Sequence, residues 1–155
     1  MKRYIIGICA VLFVAVAYYA ISPLFRNKQL DEALPTLETQ VSATSSASTD
    51  NPFSTLPVTI APTAGHPASG TVRIVSDGDN HFVRYEDFKT INGPDIFVYL
   101  SKDLSASKYV SLGRVKATEG NINYSIPDEV DPREYPYVLV WCKTFGVLFN
   151  SARVY

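Results

Sequence analysis

Cysteine is nearly absent from this chain, and what it excludes sets the first bounds. Cys9 and Cys142 are the two cysteines in 155 residues. Cys9 lies inside an N-terminal apolar run, so Cys142 stands alone in the remainder and no internal disulfide can staple a folded domain there. No Cys-x-x-Cys-His haem attachment and no closed zinc set occur, because His66 and His81 are the only histidines. A glycine-rich phosphate loop and a Gly-x-Ser-x-Gly elbow are missing too. No nucleophile accompanies an orienting base, which argues against hydrolytic enzymes. Excess charge of either sign is also lacking. The 14 basic and 15 acidic residues nearly cancel and are not segregated, so the field that draws nucleic acid is absent and nucleic acid is discarded as a partner. Methionine and tryptophan occur once each, against 10 tyrosines and 8 phenylalanines, a bias that favours strands over a helical bundle.

The one long hydrophobic run decides location. Lys2 and Arg3 precede uncharged residues 4–25, and Arg26 and Lys28 follow. A helix over that run would be about 33 Å long, enough to cross a hydrocarbon core of about 30 Å. Ala15-Val16-Ala17 offers a signal-peptidase site as the alternative, but the apolar run continues past it without a polar region. Residues 1–28 are therefore read as a retained single-pass membrane anchor, with the C-terminal part extracytoplasmic under either outcome. Cys9 follows Ile6-Gly7-Ile8 too early in the run for a lipoprotein.

Residues 29–69 read as a disordered linker. Residues 29–38 are expected to extend the anchor helix until Pro35 stops it. Beyond them serine, threonine, alanine and proline dominate, with Pro52, Pro57, Pro62 and Pro67 five apart. Too few large apolar side chains remain there to offset the entropy of ordering. That composition predicts an extended spacer holding the domain away from the bilayer.

Residues 70–155 read as one all-β domain. Strands are predicted near 71–75, 81–85, 96–101, 109–115, 121–126, 137–142 and 146–154, which gives a single antiparallel β-sandwich or small barrel of about seven strands. Asp77-Gly78 and Glu119-Gly120 carry hairpin chemistry, Asn92-Gly93-Pro94-Asp95 a turn, and Asp131-Pro132-Arg133-Glu134 one helical turn. Alternation in Tyr137-Val138-Leu139-Val140-Trp141-Cys142-Lys143 puts Val138, Val140 and Cys142 on one face and Tyr137, Leu139, Trp141 and Lys143 on the other. Both faces are apolar, as in a central strand, so Cys142 is expected to be at least partly buried. His81 reads as a strand-edge residue. The acidic turn before it lacks the downstream glutamate of a calcium loop. Glu86-Asp87 supplies carboxylates without a partner nucleophile. The sequon Asn123-Tyr124-Ser125 falls within a predicted strand.

Gly70-Thr71-Val72-Arg73-Ile74, His81-Phe82-Val83-Arg84-Tyr85-Glu86-Asp87-Phe88, Phe97-Val98-Tyr99-Leu100-Ser101 and Tyr137 through Phe145, together with Asn92-Gly93-Pro94-Asp95, resemble the DM-thirteen domain family. The resemblance spans residues 70–155 and is silent on the rest. It implies an extracellular β-rich domain, found in animals beside haem- or sugar-binding DOMON domains and catalogued for electron transfer on account of a cysteine that corresponds to Cys142. Two functions from different classes are thus expected. In the first, Cys142, flanked by Trp141, Lys143 and Phe145, is the redox group of an electron-transfer accessory module, and its partner is a separate haem or copper protein. In the second, the domain is a non-catalytic ligand- or protein-binding module and Cys142 only packs. The residues name no cofactor and no metal ligand.

Overall fold

A computed structural model describes residues 12–13, 28–35, 54–78 and 80–155. Ten strands occur among them: β1 (Gln29–Asp31), β2 (Val58–Thr59), β3 (Ala61–Pro62), β4 (Ala68–Asp77), β5 (Asn80–Thr90), β6 (Ile96–Ser101), β7 (Tyr109–Arg114), β8 (Glu119–Ile126), β9 (Tyr137–Cys142) and β10 (Val147–Arg153). They form two five-stranded sheets, ordered β1-β8-β5-β4-β2 and β3-β10-β9-β6-β7. The seven expected strands are all present, and the sheets stay separate as a β-sandwich instead of closing into a barrel. Alternation creates the core. Val72, Ile74, Val83, Tyr85, Ile122 and Tyr124 from the first sheet meet Ile96, Val98, Leu100, Val138, Val140 and Cys142 from the second in one buried cluster.

The connections define two ends. The β5–β6 and β7–β8 crossovers and the β9–β10 turn lie at one end, where Thr90, Ile96, Arg114, Glu119, Cys142 and Val147 stop or start their strands. The β4–β5 hairpin, the β6–β7 loop and the β8–β9 crossover lie at the other. Asp77 pairs with Asn80 across the hairpin, and Gly78 takes the left-handed conformation that such a tight turn requires. Pro132–Glu134 is a short 3-10 turn capped by the Asp131 side chain, as the sequence predicts. The Glu119-Gly120 hairpin is not formed. Both residues belong to β8, and β7 pairs with β6 in the other sheet. Gly120 serves a different purpose, the close approach of β1.

Two stretches given to the linker are part of the sandwich. Residues 29–31 do not prolong a helix; they pair in parallel with β8 at Gln29–Glu119, Leu30–Gly120 and Asp31–Asn121. Residues 54–69 contribute β2, β3 and the start of β4. Ile60 between β2 and β3 is buried, and its amide donates to the Gly70 carbonyl at 3.1 Å. Composition misleads here because β2 and β3 are edge strands of opposite sheets, where proline's missing N–H costs no ladder bond. The buried isoleucine and the hydrogen bonds of Thr55 with Ile74 and of Thr63 with Leu148 and Phe149 dock the segment. The apolar run 4–25 lies outside the described residues except for Leu12 and Phe13, which are helical. Among the described residues no helix is long and apolar enough to cross a membrane.

Three buried tyrosines, Tyr85 and Tyr124 in the core and Tyr99 on the outer face of the second sheet, have consequences for alkaline pH. Tyr85 packs on Phe88 at 4.6 Å and on Tyr124 at 5.9 Å between ring centroids. Burial pushes Tyr85 well above the ordinary phenol range and Tyr124 up to about 12, and burial together with the stacked Tyr109 raises Tyr99 to about 12. A folded-state pKa above the unfolded value near 10 stabilises the fold below that value and is lost as pH rises through the folded pKa. Stability should therefore hold to about pH 10 and fall steeply towards pH 12. Urea titrations across this range, with tyrosinate absorbance followed in parallel, check the outcome. Phenol ionisation complete below the unfolding transition would contradict it.

Candidate functional site

Cys142 closes β9, the middle strand of its sheet, between Ile96 of β6 and Val147 of β10. Its side chain belongs to the inter-sheet core and is 1 % exposed. The strand-end position follows from sequence, since Thr144, Phe145 and Gly146 interrupt the alternation and Gly146 adopts positive φ. Burial is more complete than the expected partial cover, because Cys142 continues the Val138–Val140 face into the space between the sheets.

The turn after Cys142 is tied down through one residue. The Lys143 amide donates to the Asp95 carbonyl at 2.9 Å, and the Thr144 hydroxyl donates to Asp95 Oδ2 at 3.1 Å. Arg114 also pairs with Asp95. Phe145 at the tip is 69 % exposed. An almost fully buried thiol thus sits one residue from an exposed turn that is held to the β5–β6 connection through Asp95.

The residues expected to flank the thiol divide between two faces. Trp141 pairs with Phe97 and Leu148 on the outer face of the sheet, half-buried. Lys143 sends its ammonium over the Phe97 ring, 5.6 Å from the centroid, on that same outer face. It does not lie beside the sulfur. Phe145 lies in the turn and is largely exposed. The outer face also holds Tyr99 stacked on Tyr109 at 4.1 Å and Arg114 over Phe97 at 5.2 Å. This aromatic surface is assembled by register across β7, β6 and β9. The period-2 pattern of each strand hints at it, but which strands are neighbours is not legible in sequence.

Several other residues raised by the sequence have structural partners. His81 Nδ1 meets the Ser76 hydroxyl at 2.6 Å at the hairpin end of the sandwich. His66 packs on Phe149 with the rings tilted and their centroids 4.1 Å apart, and its Nδ1 meets the Thr63 hydroxyl at 3.1 Å. Asn123 of the sequon spends its amide in the sheet, donating to the Ala33 carbonyl at 2.7 Å and accepting from Arg84 at 3.0 Å. Glu86 pairs with Arg73 at 2.6 Å and faces Arg84 at 3.7 Å. Among the described residues no three histidine, cysteine or carboxylate side chains converge to hold a metal ion.

A two-sheet β-sandwich with one free cysteine among the described residues, buried at the end of a central strand, defines a small all-β domain. The electron-transfer DM13 family model matches residues 61–154, more than half of the chain. The chain belongs to that family. The match begins inside the proline-containing stretch, in agreement with the folded β3 and β4. No curated protein and no solved structure matches the chain.

Proposed function

We propose that this chain is a membrane-tethered, extracytoplasmic electron-transfer accessory domain whose reacting group is Cys142 and whose partner is a separate haem or copper protein. Membership of an electron-transfer family carries the reading. Cys142 is its candidate because it is the one cysteine among the described residues. The tether is inferred from the apolar run 4–25 and its basic flanks. A sulfur that is 1 % exposed reacts only when the 143–146 turn opens, so exchange is slow and gated by local unfolding.

Thiol labelling of the native chain tests this. Cys142 should react measurably faster than the chain unfolds globally. Asp95→Ala removes a hydrogen bond worth about 1 kcal/mol from the turn and should speed labelling by about fivefold. Cys142→Ser should abolish mixed-disulfide or electron-transfer activity while the β-rich circular dichroism spectrum persists.

A second reading draws on the same burial. If Cys142 is labelled only at the rate of global unfolding, the sulfur is a packing group and the domain is a binding module that presents Phe97, Tyr109 and Trp141 on its outer sheet.

A further inference from the structure

We infer that the domain rests directly on an anionic bilayer surface, with the end that carries the 143–146 turn facing the lipid, instead of standing off on a stalk. This rests on the tether proposed above and deepens it.

The argument starts at Lys28. Its backbone amide donates to the Thr118 hydroxyl at 3.1 Å, and its carbonyl accepts from the amides of Thr118 at 2.8 Å and Glu119 at 3.2 Å. The next three residues form β1 along β8, and Arg84 then grips the carbonyl oxygens of Glu32 at 2.7 Å and Ala33 at 3.3 Å. The chain is therefore fastened to the sandwich from Lys28 onward, three residues after the apolar run ends at Phe25. Three residues span at most about 10 Å. The tether as proposed leaves no room for a spacer between membrane and domain, because the serine- and threonine-rich stretch follows Ala33 and precedes Ser54, both already attached to the sandwich.

Strand direction then sets which end faces the bilayer. Lys28 lies at the start of β8, the end that also holds the β5–β6 crossover and the β9–β10 turn. Three exposed apolar side chains, Ile91, Phe145 and Val147, lie at this end, as Leu104 and Tyr109 do at the other, so charge is what distinguishes the two. At this end stand Lys28, Lys89, Arg114, Lys116 and Lys143, against the three carboxylates Glu32, Asp95 and Glu119, which pair with Lys116, Arg114 and Lys89. The opposite end has the reverse balance. Asp77, Asp103, Asp128, Glu129, Asp131 and Glu134 there outnumber Lys102, Lys108, Arg133 and Arg153. Basic residues accompanying a few apolar tips fit the headgroup region of an anionic leaflet, while the acidic end is repelled from it. The turn that covers Cys142 then lies at the lipid surface, so partner access and membrane contact compete for the same segment.

The full chain, reconstituted into vesicles of phosphatidylcholine and phosphatidylglycerol, provides the test. A fluorophore is placed at Phe145→Cys or Leu104→Cys in a Cys9→Ser, Cys142→Ala background, and headgroup spin-labelled lipid is the quencher. Quenching at position 145 should exceed that at position 104 several-fold and should fall with added salt. Replacing residues 28–34 by a glycine–serine stretch of equal length should erase the difference. Hydrogen exchange on the unaltered chain gives a second reading that needs no substitution. Amides of residues 143–147 should slow on adding phosphatidylglycerol, while those of 102–108 stay unchanged. Equal quenching at both positions, or exchange insensitive to lipid charge, with the protein still floating with the vesicles, overturns the docked orientation. Failure to float at all removes the tether, and the orientation with it.

Discussion

Gly120→Val should destabilise the domain by about 3–4 kcal/mol, the sum of backbone strain and a displaced strand. Gly120 has φ of +119°, a conformation that a β-branched residue adopts only under strain. A Cβ there would overlap the Leu30 carbonyl oxygen and lie 2.9 Å from its carbon. Backbone cannot rotate aside as a flexible side chain can, so β1 has to leave β8. Its departure strips the Asn121 and Asn123 amides of the Asp31 and Glu32 carboxylates, which accept from them at 3.2 and 2.6 Å. Urea denaturation followed by circular dichroism measures the cost. A loss below about 1 kcal/mol, within the range of an ordinary surface substitution, would mean that β1 does not pack on β8 in solution.

Arg84→Met should cost about 2–3 kcal/mol, the range for hydrogen bonds made by a charged donor. Arg84 is 6 % exposed and stands directly across from Arg73, an arrangement tolerated because Glu86 lies between the two guanidinium groups. Removing Arg84 relieves that like-charge contact, and Glu86 keeps Arg73, so the loss falls on the N-terminal clasp. The Glu32 and Ala33 carbonyls and the Asn123 amide oxygen all lose their donor. Both variants act on the same short strand, so their effects should not add. Once Gly120→Val has expelled β1, Arg84→Met has little left to remove, and the double variant should cost clearly less than the two losses combined. Strict additivity would show that Arg84 and Gly120 support separate elements.

Strand propensity and period-2 alternation made residues 70–155 legible as a β-domain, down to the face shared by Val138, Val140 and Cys142, though with both faces apolar they did not say which one is inward. Those signals are local. A strand's two faces and its ending at a glycine-bearing turn are properties of the strand itself. The clasp was not legible because its pattern is short and its partners are distant. Gln29-Leu30-Asp31 has no alternation to distinguish it from a helix end, and its hydrogen bonds go to residues about ninety positions away. Composition likewise hid β2 and β3, since proline at an edge strand costs what proline in a coil costs, and only tertiary structure says where an edge is.

Sequence alone determined that this protein carries a single cysteine outside its apolar N-terminal run, that no internal disulfide can staple its β-domain, and that the thiol shares the Val138–Val140 face near the end of a strand. Tertiary structure decided how deeply that thiol is sealed, that Lys143 points away from it over Phe97, and that the first strand among the described residues begins at Gln29. The physical reason is the same in each case. Alternation assigns a side chain to a face, whereas burial and charge proximity depend on which strand becomes the neighbour. That choice is made by packing two sheets together, not by any one stretch of chain.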